Sequence, residues 1–317
     1  MTDLPIFESD AWRLTDQERK LTDQARELGE TRFADRAARY DRDAEFPIEN
    51  YRDLHSAGLL GICIPTEYGG LGANLRAYAL AAAEIGRYCG ATALTWNMHV
   101  CSCLWSGALA DDLEMDGVAR KHHHDTRAVH YRRILDDGAI YAQPFSEGGS
   151  AAAGTVAFST TAIRSDGGWV VRGKKIFASL AGSADYYGTL CTELKHADDK
   201  PSRSNTLYLA VPAKAEGVRV VGDWDPLGMR ATVSRTLLFE EVFVPDGSEL
   251  LPPGVYFQAA SRWPHMFMTL TPAYMGLAQA AYDFTVKYLR GELPGTPPVK
   301  RRMYPTKQLA VADMRLM

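Results

Sequence analysis

Apolar residues recur at helical spacing through roughly the first 137 residues. They alternate in short runs from 139 to about 247, and helical spacing returns from 255. The change of period predicts a helical segment over 1–137, a strand-rich segment over 138–247 and a second helical segment over 248–317. Thr15-x-x-Glu18 forms a capping box, with Leu21, Ala25 and Leu28 following at helical spacing. Pro47 opens a second helix through Ile48, Tyr51, Leu54 and His55, and Gly58 is placed to stop it. Ile64-Pro65-Thr66-Glu67-Tyr68-Gly69-Gly70-Leu71-Gly72 reads as a tight loop. The stretch after Gly90 is apolar nearly all round, which predicts a buried bundle helix carrying Trp96, Met98 and His99. Lys121-His122-His123-His124 could suggest a metal tract. Adjacent histidines on a loop diverge, and no partner stands at a ligand spacing, so a solvated interhelical loop is expected. Tyr131 to Leu135 then makes a short amphipathic helix that Asp136-Asp137-Gly138 ends.

In the strand-rich segment, Val156-Ala157-Phe158-Ser159-Thr160, Trp169 to Arg172, Tyr186 to Cys191, Leu207 to Val211, Val218 to Val221 and Arg235 to Pro245 each read as a strand. Six short strands with polar turns between them predict a small β-barrel or sandwich. Ser165-Asp166-Gly167-Gly168, between Ile163-Arg164 and Trp169-Val170-Val171, is a hairpin signal. Its arms would lay Phe145-Ser146-Glu147-Gly148-Gly149-Ser150 beside Phe177-Ala178-Ser179-Leu180-Ala181-Gly182. Backbone N–H groups, a hydroxyl and an aromatic ring would then line one shelf. Such a shelf suits a flat, polar-edged ring better than a phosphate, because no glycine-rich loop runs into a helix with Lys-Ser/Thr after it. In the last segment, Gly276-Leu277-Ala278-Gln279 begins a helix to Arg290 that Gly291 and Pro294 break, and another helix begins at Lys307.

Composition narrows the picture. The hydrophobic fraction of 46% and charged fraction of 23% describe an ordinary globular chain. A net charge of −4 gives no electrostatic case for nucleic acid. Cys63, Cys89, Cys101, Cys103 and Cys191 are scattered, form no CxxC and are odd in number, so a reducing cytoplasm is expected rather than a disulfide framework. The acidic N-terminus lacks the apolar core of a signal peptide, and no apolar run is long enough to span a membrane.

Ser146-Glu147, the run Lys175-Ile176-Phe177-Ala178-Ser179 and the Pro65-Thr66-Glu67-Tyr68-Gly69-Gly70 loop resemble the acyl-CoA dehydrogenase family, and the resemblance extends over nearly the whole chain. It implies an α+β fold with an N-terminal helical domain (1–137), a central small β-barrel or sandwich (138–247) and a C-terminal helical bundle (248–317). That bundle is expected to be incomplete, because the chain stops at Met317 inside a helix. The implied cofactor is FAD. Ser179 matches the hydroxyl that bonds flavin N5, Phe177 replaces the usual tryptophan, Phe145 and Ser146 face the pyrimidine edge, and Ser150 lies near the pyrophosphate. Arg290 and Gln308 are implied as phosphate contacts made across a subunit boundary. Trp96 and His99 are open to two readings, core packing or the wall of an acyl pocket. Arg230 reads as a turn-fixing arginine rather than a ligand contact.

The implied reaction is α,β-dehydrogenation of an acyl-CoA thioester in fatty acid β-oxidation. Its implied partners are an electron-transfer flavoprotein or similar acceptor and a homo- or hetero-oligomeric assembly. That chemistry needs a carboxylate base to take the α proton. One family position for it falls at Met266, which cannot act as a base, with the neighbouring arginine position at Phe267, and the other lies beyond Met317. No catalytic residue is therefore assigned. Two other functions stay open: a base-less subunit of a heteromeric dehydrogenase, and a flavin monooxygenase or oxidase on the same fold.

Overall fold

The computed structural model describes residues 13–151, 155–196, 198–263, 268–296, 298 and 304–316, the side chain of residue 108 excepted. Met266 and Phe267 lie outside the described residues. The helices are α1 (Asp16–Leu28), α2 (Ala34–Asp43), α3 (Ile48–Ser56), α4 (Leu75–Tyr88), α5 (Gly90–Ser106), α6 (Ala108–Asp111), α7 (Gly117–Asp137), α8 (Tyr256–Arg262), α9 (Thr271–Arg290) and α10 (Pro305–Leu316). The strands are β1 (Tyr141–Ala142), β2 (Thr161–Ser165), β3 (Gly168–Ala178), β4 (Tyr186–Leu194), β5 (Thr206–Pro212), β6 (Val218–Val221), β7 (Arg235–Pro245) and β8 (Glu249–Leu251). Among the described residues no helix is long and apolar enough to cross a membrane.

The capping box forms as its spacing dictates: Glu18 N donates to Thr15 Oγ1 at 3.2 Å and Thr15 N donates to Glu18 Oε2 at 2.8 Å. The helix after Pro47 ends with Gly58 left-handed at φ 74°. Helix α7 departs from expectation. Residues 121–124 are not in a loop but in its second turn, and the short helix at 131–135 is the end of the same 21-residue helix. Asp116 caps it through Ala119 N at 2.8 Å. Its buried face is His123, Thr126, Arg127, His130, Tyr131 and Ile134. These positions follow helical spacing faithfully but are mostly polar, so apolar periodicity could not reveal the helix. His123 fits inside because its Nε2 meets the Ser106 carbonyl at 2.8 Å.

The strands hydrogen-bond into one mixed sheet, ordered β6-β7-β3-β2-β4-β5-β8, with β1 added to β4. The expected small β-barrel or sandwich takes the form of this central mixed sheet between the helical segments. The hairpin signal is met: β2 pairs antiparallel with β3 through a turn in which Ser165 faces Gly168. Gly167 takes φ 72° there, a conformation with no steric cost only for glycine.

The strand expected at residues 156–160 does not form. The Glu147 carboxylate accepts from Ser159 N at 2.7 Å and Thr160 N at 2.9 Å, so a side chain takes the N–H groups that a ladder would use. Helix α9 begins at Thr271, five residues before Gly276, with a proline in its first turn. It packs against α4, and Arg87 of α4 pairs with Asp283 at 2.6 Å.

Candidate functional site

Lys175 and Glu147 join the two serine-bearing segments. Lys175 is fully buried on β3, and its Nζ lies 2.7 Å from Glu147 Oε1, 2.6 Å from the Leu190 carbonyl and 4.6 Å from the Phe158 ring centroid. Glu147 Oε2 accepts from both N and Oγ of Ser159. Burial by itself would raise the Glu147 carboxyl. The Lys175 charge and the donors of Lys175, Thr160 and Ser159 outweigh it, holding the group down to about 2. A backbone bond from Ile176 N to Ser146 O at 2.8 Å completes the join. The segment 145–150 and the end of β3 therefore lie side by side.

Where β3 ends, its register with β7 slips between Lys175 and Ala178. Phe177 sits in that bulge at φ 50°, 68% exposed as a residue, with its ring edge-on to Trp224 at 6.3 Å. A non-glycine residue at positive φ, displaying a large apolar ring to solvent, is the kind of local strain that marks ligand sites. Two residues on, Ser179 begins a hydroxyl chain. Its Oγ is 2.8 Å from Ser234 Oγ, which is 2.7 Å from Thr232 Oγ1, which donates to the Met229 carbonyl at 2.9 Å. Only the carbonyl end is forced, and it sets the rest. Thr232 donates to Met229, Ser234 donates to Thr232, and Ser179 donates to Ser234. Ser179 Oγ is left with its lone pairs free, as an acceptor.

Phe145, Ser146 and Phe177 line one cleft of about 230 Å³, together with Asn97, Met98 and Trp105 of α5, Gln143, and Thr269 and Leu270 ahead of α9. The cleft lies where α5, the segment after β1, the β3 bulge and the approach to α9 converge. No carboxylate lines it among the described residues.

Neither Trp96 nor His99 lines this cleft. Trp96 Nε1 donates to the Leu59 carbonyl at 3.1 Å. His99 Nε2 meets the Leu60 carbonyl at 3.0 Å, and its Nδ1 accepts from Tyr141 N at 3.0 Å. Both side chains are fully buried. Burial pulls the His99 imidazole down to about 4, and with both nitrogens engaged it fastens α5 to β1 and the 59–61 turn. One residue is about 100° of helix, so Asn97 and Met98 face the cleft instead. Ser150 is exposed, and its carbonyl accepts from Thr155 Oγ1 at 3.1 Å.

Arg290 lines a separate groove of about 650 Å³ with Glu30, Arg87, Phe284 and Lys287, and Gln308 is exposed on α10. Arg230 is a turn-fixing residue, bound to the Asp41 carbonyl at 2.9 Å, the Pro226 carbonyl at 3.3 Å and the Asp225 carboxylate. Sequence reading missed Asn97, Gln143 and Thr269. Single amides and hydroxyls carry no spacing signal, and only the packing of three segments brings them together.

A helical segment, a mixed sheet and a second helical segment thus meet around one cleft, walled in part by a strained aromatic bulge. The acyl-CoA dehydrogenase N-terminal domain model matches residues 15–109 and the middle domain model residues 145–242, so the chain belongs to the acyl-CoA dehydrogenase family. It is 25% identical over 308 residues to the probable acyl-CoA dehydrogenase YngJ of Bacillus subtilis, covering 96% of this chain and 76% of that protein. It is 30% identical over 274 residues to L-evernosamine nitrososynthase of Micromonospora, covering 82% and 59% respectively. Among solved structures, butyryl-CoA dehydrogenase from Megasphaera elsdenii matches with a TM-score of 0.78 at 21% identity, covering 96% of this chain and 76% of that one. The dibenzothiophene monooxygenase TdsC from Paenibacillus matches with a TM-score of 0.74 at 22% identity, covering 94% and 72%. Likeness at these identities speaks for the fold.

Proposed function

We propose that this chain is a flavin-dependent oxidoreductase, FAD its cofactor, acting on the Cα–Cβ bond of an acyl-CoA thioester. The observation that carries this reading is the convergence of Phe145, Ser146 and strained, exposed Phe177 on one cleft, with the Ser179 hydroxyl chain two residues beyond. These residues fit a flat ring with polar edges. Phe145, Phe177 and Trp105 give aromatic walls, Ser146 a hydroxyl, and Ser179, two residues beyond Phe177, an acceptor suited to a ring N–H. When bound, the flavin supplies a two-electron acceptor. The chain's residues hold the ring, and α5 with the approach to α9 keeps water from it. In this reading Ser150 lies toward the pyrophosphate, and Arg290 and Gln308 contact phosphate across a subunit boundary. Electrons pass to an electron-transfer flavoprotein or similar acceptor.

The lining of the described cleft favours a second reading. Its polar groups are amides and hydroxyls, with no carboxylate to take an α proton. A flavin monooxygenase needs no such base, and this fold also serves one in TdsC. A base-less subunit working beside a related chain would share the same lining, and co-purification with that chain would identify it.

Loading the protein with FAD and adding butyryl-CoA without oxygen or NADH tests the choice. Bleaching of the flavin supports dehydrogenation. An oxidised flavin that turns over only with a separate reductant and oxygen supports the monooxygenase. Failure to take up FAD or FMN sinks both readings.

Ser234→Ala removes the acceptor of the Ser179 proton, and Ser179→Ala removes the hydroxyl. Each is expected to weaken flavin binding or shift its potential by an amount equivalent to about 0.5–1.5 kcal/mol. Ser183→Ala, outside the chain of hydroxyls, is expected to do neither. Titration of flavin fluorescence and a potential measured against a reference dye check this. Identical values for all three variants and the parent would remove Ser179 from the site.

A further inference from the structure

Asn97 is 1% exposed and lines the cleft, and its amide orientation is dictated by its neighbours. Tyr78 donates its one proton to the Thr269 carbonyl at 3.3 Å. Tyr78 Oη can then only accept, so Asn97 must present Nδ2 to it, at 2.6 Å, and the same Nδ2 reaches Cys101 Sγ at 3.4 Å. Asn97 Oδ1 is left as a buried acceptor with no partner among the described residues. Gln143 lines the same cleft and also spends its amide nitrogen on a tyrosine. Its Nε2 donates to Tyr208 Oη at 3.0 Å, and its Oε1 has no hydrogen bond among the described residues. Ser146 and Thr269 add hydroxyls to the same lining. A buried amide oxygen without a donor is costly, so a pocket built for a bare hydrocarbon chain would not keep Asn97 Oδ1, with the Gln143 amide oxygen in the same lining as a second acceptor.

We infer that Asn97 and Gln143 are specificity-determining residues that accept hydrogen bonds from a hydroxyl or amino group on the substrate. The substrate class is therefore a hydroxylated or aminated acyl group rather than an unsubstituted one. This rests on the thioester reading above. A site that offers acceptors to a donor rejects the analogue that lacks it, because the amide oxygens then go unpaired.

The test uses two pairs matched in shape, 3-hydroxybutyryl-CoA against isovaleryl-CoA and 4-hydroxybutyryl-CoA against valeryl-CoA. Each is titrated into the FAD-loaded protein by calorimetry. In one pair or the other, the hydroxylated member is expected to bind about tenfold more tightly or better, the worth of one such bond. That preference is expected to vanish in Gln143→Met or in Asn97→Leu. Gln143→Met changes no partner of Tyr78 and keeps the test open if Asn97→Leu fails to fold. Equal binding within both pairs, which a trapped water at Asn97 would give, overturns the inference, as does a preference that survives both variants.

Should no thioester bind, the thioester reading fails, and a CoA-free pair decides this one. Propane-1,2-diol and 2-methylpropan-1-ol, followed by saturation-transfer NMR, differ only by hydroxyl for methyl. Gln143→Met or Asn97→Leu is then expected to shift the balance toward 2-methylpropan-1-ol, and an unchanged balance overturns the inference.

Discussion

Lys175→Met is expected to destabilise the protein by about 3–5 kcal/mol, the cost of breaking a buried ion pair from one side. The ammonium is fully buried and the Glu147 side chain only 5% exposed, so water cannot replace the lost partner. The double variant Lys175→Met/Glu147→Leu is expected to recover only part of this. An apolar pair removes the uncompensated charge, but buried Thr160 loses the acceptor of its N–H, at about 1–3 kcal/mol.

Because the pair also holds segment 145–150 against β3, both variants should lose flavin affinity along with stability. Urea unfolding and flavin titration measure the two effects, and a Lys175→Met midpoint equal to the parent's would refute the account. The pH dependence follows from the same pair. The Glu147 carboxyl is lowered in the folded state, so its contribution is fully present above about 4.5 and is lost as pH falls through about 2. The interval between those values is worth roughly 3 kcal/mol. The parent should therefore lose stability progressively below pH ~4.5. Lys175→Met should lack this loss, since burial then raises the carboxyl instead.

Gly276→Val is expected to cost at least about 1–3 kcal/mol, the usual penalty of overpacking, and to empty the cleft of ligand. A Cβ at Gly276 would lie 2.1 Å from the Ala83 carbonyl oxygen and 2.7 Å from Arg87 N, and one at Gly86 would lie 2.5 Å from the Ala273 carbonyl oxygen. Backbone meets backbone at this crossing of α4 and α9, so no rotamer change relieves the clash. Helix α9 must move away, carrying Thr269 and Leu270 out of the cleft just ahead of it. Gly117→Ala, where a Cβ meets nothing within 4 Å, is the control. Thermal unfolding together with FAD binding checks the pair. A Gly276→Val protein that keeps both properties of the parent would show that α9 does not set the cleft.

Much of this architecture was legible along the chain. The change from helical to alternating period locates the sheet, Asp166-Gly167 fixes the β2–β3 turn, and Thr15-x-x-Glu18 marks the start of α1, because each depends on residues within a few positions of one another. The same reading failed on α7, whose buried stripe is histidine, threonine and arginine, and at residues 156–160, where alternation suggested a strand. In both places a distant partner decides: Ser106 O satisfies His123, and Glu147 claims two N–H groups twelve and thirteen residues away.

The site divides along the same line. That the segment with Phe145 and Ser146 lies beside the one with Phe177 and Ser179 was readable along the chain, since the hairpin between them is local and its arms bring them together. The sequence could not say that Phe177 would stand in a bulge at positive φ, that Ser179 would become an acceptor through Ser234 and Thr232, or that Asn97 rather than Trp96 or His99 would face the cleft. Which face of α5 meets the cleft depends on how it packs against β1 and the approach to α9. The direction of a hydroxyl chain depends on the carbonyl at its far end. Period, capping and turn chemistry act over a few residues and are written in the chain; orientation and hydrogen-bond polarity are settled only when remote segments compete for the same donors.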